Sequence, residues 1–519
     1  MMEAIKYRII YAFLWYAVVF YGIPCTAQSN ESLKINGKIT GNYIVDSMEI
    51  SYTTNFEEQH NIFMRGRSKS FRVSENQFQV EIDSEDSLFY IKFHNIKNMG
   101  LRENSVYGRL VYFPVVVAPH MQLEMEVNQD SVIFSGKDAA LINCQLELRR
   151  IEQIANRKIR ESYDKNKLFQ MKQGNPYDKM WCYLEEYHAI NQQLLAEGSM
   201  VFNSFSKKSD EKAWQQLWYD WVGNLKYNQI TKMHFFHTMY AKKYRNAIED
   251  FYKKFLLVED DLDMIVKYTT KSIMFPRYLY LKSYADLFFS LAEFDTELEP
   301  SFDTLLDLLS GRYKGELFDQ VAFSALLQQA GNKYIDENTY LKLASQMGNS
   351  EIKRTVEEML ARKSKYRKGY DFALEDSEGQ IRTPQDFKGK VLIMDFWYTG
   401  CHACKGLYKA MKPVKSAFAT NSNVVVLSVC VDKSRERWYQ TISDPNNGYT
   451  DSTNINLWIG GDTKHSPIIR YYDIFSYPTI IVLNGNNEIM AFNPKDPYTE
   501  IDRNAFISII DQALKKAGG

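Results

Sequence analysis

The stretch Asp395-Phe396-Trp397-Tyr398-Thr399-Gly400-Cys401-His402-Ala403-Cys404-Lys405 joins the apolar run Val391–Trp397 to a segment expected to be helical. A buried strand feeding a helix through a short turn is the repeating unit of an α/β layer. The turn puts Cys401 at the helix N-terminus, where the macrodipole and free backbone N–H groups favour its thiolate. Cys404 lies one helical turn on and can reach the same sulfur, so the spacing suits reversible dithiol–disulfide chemistry that needs no cofactor. Zinc ligation is the rival reading, but it needs a second Cys pair or two His, and outside the Cys401–Cys404 stretch only Cys430 and His465 remain in this part of the chain. Cys430 falls within the apolar run Val424–Val431 and is expected to be a buried strand residue.

Around this junction strands and helices alternate. Strands are expected at Val391–Trp397, Asn423–Asp432, Thr479–Asn484 and Ile489–Phe492, and helices after Cys401, around Arg435–Ile442 and from Thr499 to Lys515. That order predicts an α/β domain over 364–519 with helices on a mixed sheet. The basic stretch Arg362–Lys368 marks its boundary as a solvated linker.

Upstream the period changes twice. Residues 28–137 read as a β-rich domain, a small sandwich, with strands at Leu33–Thr40, Ser70–Asp83, Phe89–His94, Arg109–Val117 and the strictly alternating Met121–Asn128. At Asp138, a candidate cap, a helical period begins, with Leu141, Cys144, Leu148, Ile151 and Ala155 on one face. The helical region 138–363 has breaks at Gly174-Asn175-Pro176, Pro276, Pro300, Gly311 and Gly331. Its aromatic clusters, Trp214, Trp218 and Trp221 or Phe235, Phe236 and Tyr240, are expected to pack as core rather than line a groove. His234 and His237 have no acidic or Cys partner at a metal-binding offset.

The 519 residues are 45% hydrophobic and 24% charged, as in an ordinary globular protein of about three domains. With 63 Lys+Arg against 64 Asp+Glu there is no cationic excess to displace counterions, which argues against duplex nucleic acid as a partner. Residues 1–27 read as an export signal: Lys6 and Arg8 precede an apolar run from Ile9 to Ile23, and Cys25-Thr26-Ala27 offers cleavage after Ala27. The run is short of the roughly 20 residues that span a bilayer, so membrane attachment is expected only through an uncleaved N-terminus or a lipid on Cys25. The expected location is the periplasm or cell envelope. Removal of Cys25 leaves five cysteines, too few to staple a chain of this length, and an odd number.

Three markers together carry a family resemblance. Phe372–Gly379 with Phe387–Trp397, then the Cys401–Cys404 pair, then Tyr477-Pro478-Thr479, resemble the TlpA/ResA-like branch of the thioredoxin superfamily over about Tyr366 to Gly519. The stretch between Trp438 and Ile474 is similar to that branch's insertion. The resemblance implies a C-terminal thioredoxin-like domain within a multidomain α+β chain, with a redox disulfide between Cys401 and Cys404. It also implies a cis-proline at Pro478, preceded by Tyr477 whose backbone pairs with an incoming peptide, and a buried acid at Asp395. For Asp395 the alternative is a strand-end acid satisfied by hydrogen bonds. Trp397 and His402 flank the centre as modulators; a protonated His402 would stabilise the Cys401 thiolate and favour the reduced form. Gly400, Ala403, Leu407 and Lys409 depart from the residues the branch commonly carries at those places, all of which shape the surface around the sulfurs.

The function expected is an exported thiol-disulfide oxidoreductase, acting as a disulfide reductase on envelope proteins and recharged by an unidentified electron-donor thiol protein. The alternative is an envelope scaffold whose thioredoxin module only docks a partner. Retention of both Cys, the acid and the proline favours the enzyme, since a scaffold needs none of them.

Overall fold

The computed structural model describes residues 32–40, 47–53, 67–84, 87–94, 114–128, 132–165, 175–205, 211–257, 272–291, 301–330, 337–348, 350–461, 466–472, 474 and 476–517. The expected export signal, the expected helix breaks at Gly174, Pro300 and Gly331, and His465 lie outside them. The chain forms two compact units. One holds the N-terminal sheets, the start of the first helix to Lys158, and Gln192–Leu217; the other holds Ile159–Asn191 and the chain from Trp218 onward.

Two four-stranded sheets make up the β-rich region. In the first, β1 (Ser32–Ile39) lies between β4 (Gln77–Asp83), antiparallel, and β7 (Gln122–Val127), parallel, with β8 (Val132–Ser135) beyond. Alternation sets its buried face: Leu33, Ile35 and Ile39 of β1 meet Phe78, Val80 and Ile82 of β4 and Leu123, Met125 and Val127 of β7. Gly37 shares that face because the Phe78 ring occupies the place of a side chain; a Cβ there would lie 1.8 Å from its Cζ. The second sheet has the order β3 (Arg67–Arg72), β2 (Ser47–Tyr52), β5 (Phe89–His94), β6 (Val115–Val117).

The sequence treated Ser70–Asp83 as one strand, whereas the chain turns at Glu75 and Asn76 and enters a different sheet. Both residues have positive φ, 53° and 60°, a conformation that Asn tolerates better than most residues do. Of the expected strand Arg109–Val117, only Val115–Val117 is seen among the described residues.

The helical middle runs through α1 (Ala139–Lys165), α2 (Pro176–Phe205), α3 (Glu211–Phe255), α4 (Met274–Leu291), α5 (Phe302–Arg312), α6 (Gly315–Ala330), α7 (Glu337–Gln346) and α8 (Glu351–Lys363). The expected face of α1 is buried throughout. The Asp138 carboxylate accepts the Gln122 N–H. Pro276 does not break a helix but sits in the first turn of α4, where its missing N–H costs no bond, and Gly311 lies within α5. Trp214, Trp221 and Phe236 are core residues, whereas Phe235 is exposed.

The C-terminal sheet has seven strands in the order β10 (Ile381–Arg382), β9 (Leu374–Asp376), β13 (Ile455–Trp458), β12 (Val424–Cys430), β11 (Val391–Trp397), β14 (Thr479–Leu483), β15 (Ile489–Phe492). Central β11 runs parallel to β12 and antiparallel to β14 and is buried on both faces, which explains its unbroken apolar sequence. Val391 and Ile393 face a core completed by Leu407, Met411 and Val414 of α9 (His402–Ala417) and by Phe506, Ile510 and Ala513 of the C-terminal helix (Glu500–Ala517). Leu392, Met394 and Phe396 face the opposite core, with Phe372, Ile468, Ile469 and Tyr472.

The basic stretch at 362–368 is not a free linker. Tyr366 N–H donates to the Ile489 carbonyl, Ile489 N–H to that of Arg367, and the Arg367 guanidinium lies 4.2 Å from the centre of the Tyr471 ring.

Candidate active site

Strand parity places the site. Val391, Ile393, Asp395 and Trp397 project to the α9 side of β11, so the strand leads from apolar core through a carboxylate to an indole at its C-terminal end. There Trp397, Cys401, Cys404, Cys430, Trp438 and Tyr449 form one buried cluster, with Tyr477 packed against it. The Trp397 Nε1–H donates to Ser428 Oγ at 2.7 Å, and its ring stacks on Tyr449 at 4.9 Å and 5°.

The turn between strand and helix is held from several directions. Thr399 N–H donates to Asp432 Oδ1 at 3.0 Å, and its hydroxyl bonds Asp432 Oδ2. Gly400 N–H donates to the Tyr449 hydroxyl at 2.8 Å, and Arg437 Nη2 donates to the Thr399 carbonyl at 3.0 Å. Gly400 has φ +103°, which explains a glycine immediately before the first cysteine.

Cys401 is the N-cap of α9, and its Sγ accepts the Cys404 N–H at 3.0 Å. The two cysteines form a disulfide with Cα atoms 5.3 Å apart. Both are only 3% exposed, so their asymmetry lies in position, one capping the helix and the other inside its first turn. Facing them, the Tyr477–Pro478 peptide is cis, and the Tyr477 carbonyl oxygen lies 3.9 Å from Cys401 Sγ. Tyr398, exposed, meets Tyr477 edge-on at 5.7 Å.

The Thioredoxin-like family model matches residues 389–489, which span this strand, turn, disulfide and cis-proline. The C-terminal domain is thioredoxin-like. Over 119 residues, 23% of this chain, it is 27% identical to the thioredoxin-like protein YneN of Bacillus subtilis. Over 120 residues it is 25% identical to the thiol-disulfide oxidoreductase ResA of the same organism. The matched parts cover 65% and 62% of those proteins. Among solved structures, the thioredoxin domain of a thiol-disulfide oxidoreductase from Bacteroides vulgatus is 21% identical, with a TM-score of 0.24, covering 28% of this chain and 98% of that one.

Asp395 is a buried carboxyl on the α9 side of β11. Its Oδ1 is sealed from solvent and has no hydrogen-bond partner among the described residues, which disagrees with an acid merely satisfied by hydrogen bonds. Burial, reinforced by the charge of Asp496 and opposed by Lys415, pushes its carboxyl up to about 7. Asp496, in the loop after β15, is itself raised by burial. Lys415 is engaged with both Asp451 oxygens, at 2.9 and 2.8 Å, and with Asn454 Oδ1 at 2.7 Å.

His402 is exposed at the start of α9 beside the disulfide. Cys430 is a buried free thiol, pushed up by desolvation, as a strand-core cysteine should be. Among the described residues no cluster of three or more His, Cys, Asp or Glu could hold a metal.

Tyr449, Asp432, Arg437 and Asp496 were not singled out in the sequence. Each acts across 33 to 101 residues of chain, and their only local signal was proximity to a strand end or an insertion. Asp432 alone closes an apolar run, Val424–Val431, as Trp397 and its turn do on the neighbouring strand.

Proposed function

We propose that the protein is a thiol-disulfide oxidoreductase that works in the reductase direction on exported proteins. The observation that carries this reading is the Cys401–Cys404 disulfide at the N-terminus of α9, facing the cis Tyr477–Pro478 peptide. In the reduced protein the helix N-terminus and the Cys404 N–H favour a thiolate on Cys401. That thiolate attacks one sulfur of a substrate disulfide; the substrate S–S bond breaks, a mixed disulfide with Cys401 forms, and the first substrate thiolate leaves. Cys404 then loses its proton and attacks Cys401 Sγ, closing the Cys401–Cys404 bond and releasing the second substrate thiol. Two electrons pass from the cysteine pair to the substrate, and a dithiol donor protein returns them.

Asp395, on the same side of β11 as Trp397 and beneath α9, takes or relays the Cys404 proton in the second step. Pro478 and Tyr477 present backbone to the incoming peptide, and Trp397 and His402 shape the ground under and beside the sulfurs. Lys6, Arg8 and the apolar run that follows support an envelope location for this chemistry.

Trapping is the test. Cys401→Ser should abolish reduction of a disulfide-bonded model protein such as insulin, and Cys404→Ser should accumulate adducts through Cys401, visible by mass spectrometry and reversed by dithiothreitol. Full activity of either variant would refute the assignment.

A further inference from the structure

The charge on the helix that carries the disulfide is one-sided. Helix α9 contains no Asp or Glu and carries His402, Lys405, Lys409, Lys412 and Lys415, although cations near a helix N-terminus oppose the macrodipole. Some of these are accounted for locally: Lys415 is neutralised by Asp451, and Lys412 lies over the Tyr408 ring at 5.1 Å. Lys405 is exposed, with Nζ 4.9 Å from the centre of the Tyr449 ring whose hydroxyl holds Gly400. Arg437, also exposed, is fixed by its bond to the Thr399 carbonyl, with Nη2 3.9 Å from where a Cβ on Gly400 would stand.

Arg437 is thus anchored to Thr399 and Lys405 lies over the ring that holds Gly400, and among the described residues neither forms an ion pair. The neighbouring carboxylates have other partners. Asp432 turns inward onto Thr399, Glu436 accepts from Ser434, Glu375 pairs with Arg435, and Asp444 accepts the Asn446 N–H.

We propose that Arg437 and Lys405 are specificity-determining residues that select disulfide substrates bearing a carboxylate within one or two residues of the attacked half-cystine. This rests on the oxidoreductase reading of the same site and names its substrate class, an acidic peptide. On this reading a substrate chain bonded to Cys401 runs past Gly400 and the start of α9, where an acidic side chain next to its cysteine meets one cation or the other. A basic one meets like charge, and rim charges of this kind act mainly through encounter rate and partner choice.

The test uses the full chain, reduced with dithiothreitol and freed of it, and three disulfide-cyclised peptides that differ only in Glu, Gln or Lys beside the cysteines. Single-turnover rates should favour the Glu peptide over the Lys peptide by about 3- to 10-fold at low salt, and the ratio should shrink toward unity near 1 M salt, where the Debye length is about 3 Å. Taking the ratio on one enzyme cancels any effect of the charges on the Cys401 thiolate. A double Lys405→Glu, Arg437→Glu variant should invert it. The wild-type salt series decides the matter even if that variant folds poorly. Equal rates for all three peptides at low salt, or a preference untouched by salt, overturn the selection alone. No turnover of any peptide overturns the oxidoreductase reading and the selection with it.

Discussion

At Asp395 a buried carboxyl bears on stability and, in the proposed mechanism, on reactivity. Moving a carboxyl from 3.8 to about 7 means that its ionisation opposes folding, by up to roughly 4 kcal/mol if the whole shift is realised. The sign follows from the direction: a raised acid costs nothing below pH 3.8, where it is protonated folded and unfolded. The penalty grows as pH rises and is complete above about 7. Asp395→Asn removes a charge that has no hydrogen-bond partner at Oδ1, so the variant should gain stability over wild type at pH 8 and little at pH 4.5. Urea unfolding monitored at the thioredoxin-like domain at both pH values checks this; a pH-independent difference would deny the buried charge. The same substitution should slow mixed-disulfide resolution more than first attack, by about 10²–10⁴-fold if the carboxyl acts as a general base. The position of Asp395, six residues before Cys401, was legible in the sequence. Its environment was not, because the second charge that raises it, Asp496, lies 101 residues further along.

Among the elements, β11 and α9 were readable because each is decided locally, by an unbroken apolar run and by residues at helical spacing. The strand bounds Val391–Trp397 and Ile489–Phe492 agree with the observed ones. Elements decided by distant partners were not readable. Strand β13 lies inside the expected insertion and is a strand because its edge pairs with β12 and β9; the break at Glu75-Asn76 sends the chain into another sheet. The inserted segment does more than lengthen the domain, since Tyr449 stacks on Trp397 and holds the Gly400 N–H. Removing only the hydroxyl, Tyr449→Phe, should cost the active-site turn about 0.5–1.5 kcal/mol. Hydrogen exchange across residues 398–405 of the oxidised protein should then quicken, by up to about tenfold, while exchange in β15 stays unchanged. Tyr449→Ala also loses the ring stack and should open the turn further. Unaltered exchange in both variants would show that the turn stands without the insertion.

On the scale of the whole molecule, the aromatic content serves in part to fill the helical region, where Tyr183, Tyr252, Phe236, Phe251 and Phe289 are among the fully buried side chains. Of these, only Phe236 stood in an aromatic cluster whose spacing marked it as core, periodicity carried no sign of which helices join, and the β-rich and helical regions hold no motif from which chemistry follows. Cysteine placement separates the regions by reactivity. Cys182 is exposed on α2, whereas Cys144 is buried in α1 with its thiol pushed up to about 12 by desolvation, and Cys430 is buried beside the redox pair with its thiol also raised. Thiolate, not thiol, is the nucleophile, so burial and a raised pKa protect a cysteine twice over. Alkylation of the oxidised full-length protein at pH 8, with peptides mapped by mass spectrometry, should therefore label Cys182 quickly and spare Cys144 and Cys430 until denaturant is added. Prior mild reduction should add Cys401 first, because it caps the helix, and Cys404 more slowly. Rapid native labelling of Cys430 would place that thiol within reach of the redox pair's chemistry, and equal labelling of Cys401 and Cys404 would remove the distinction between attacking and resolving sulfur.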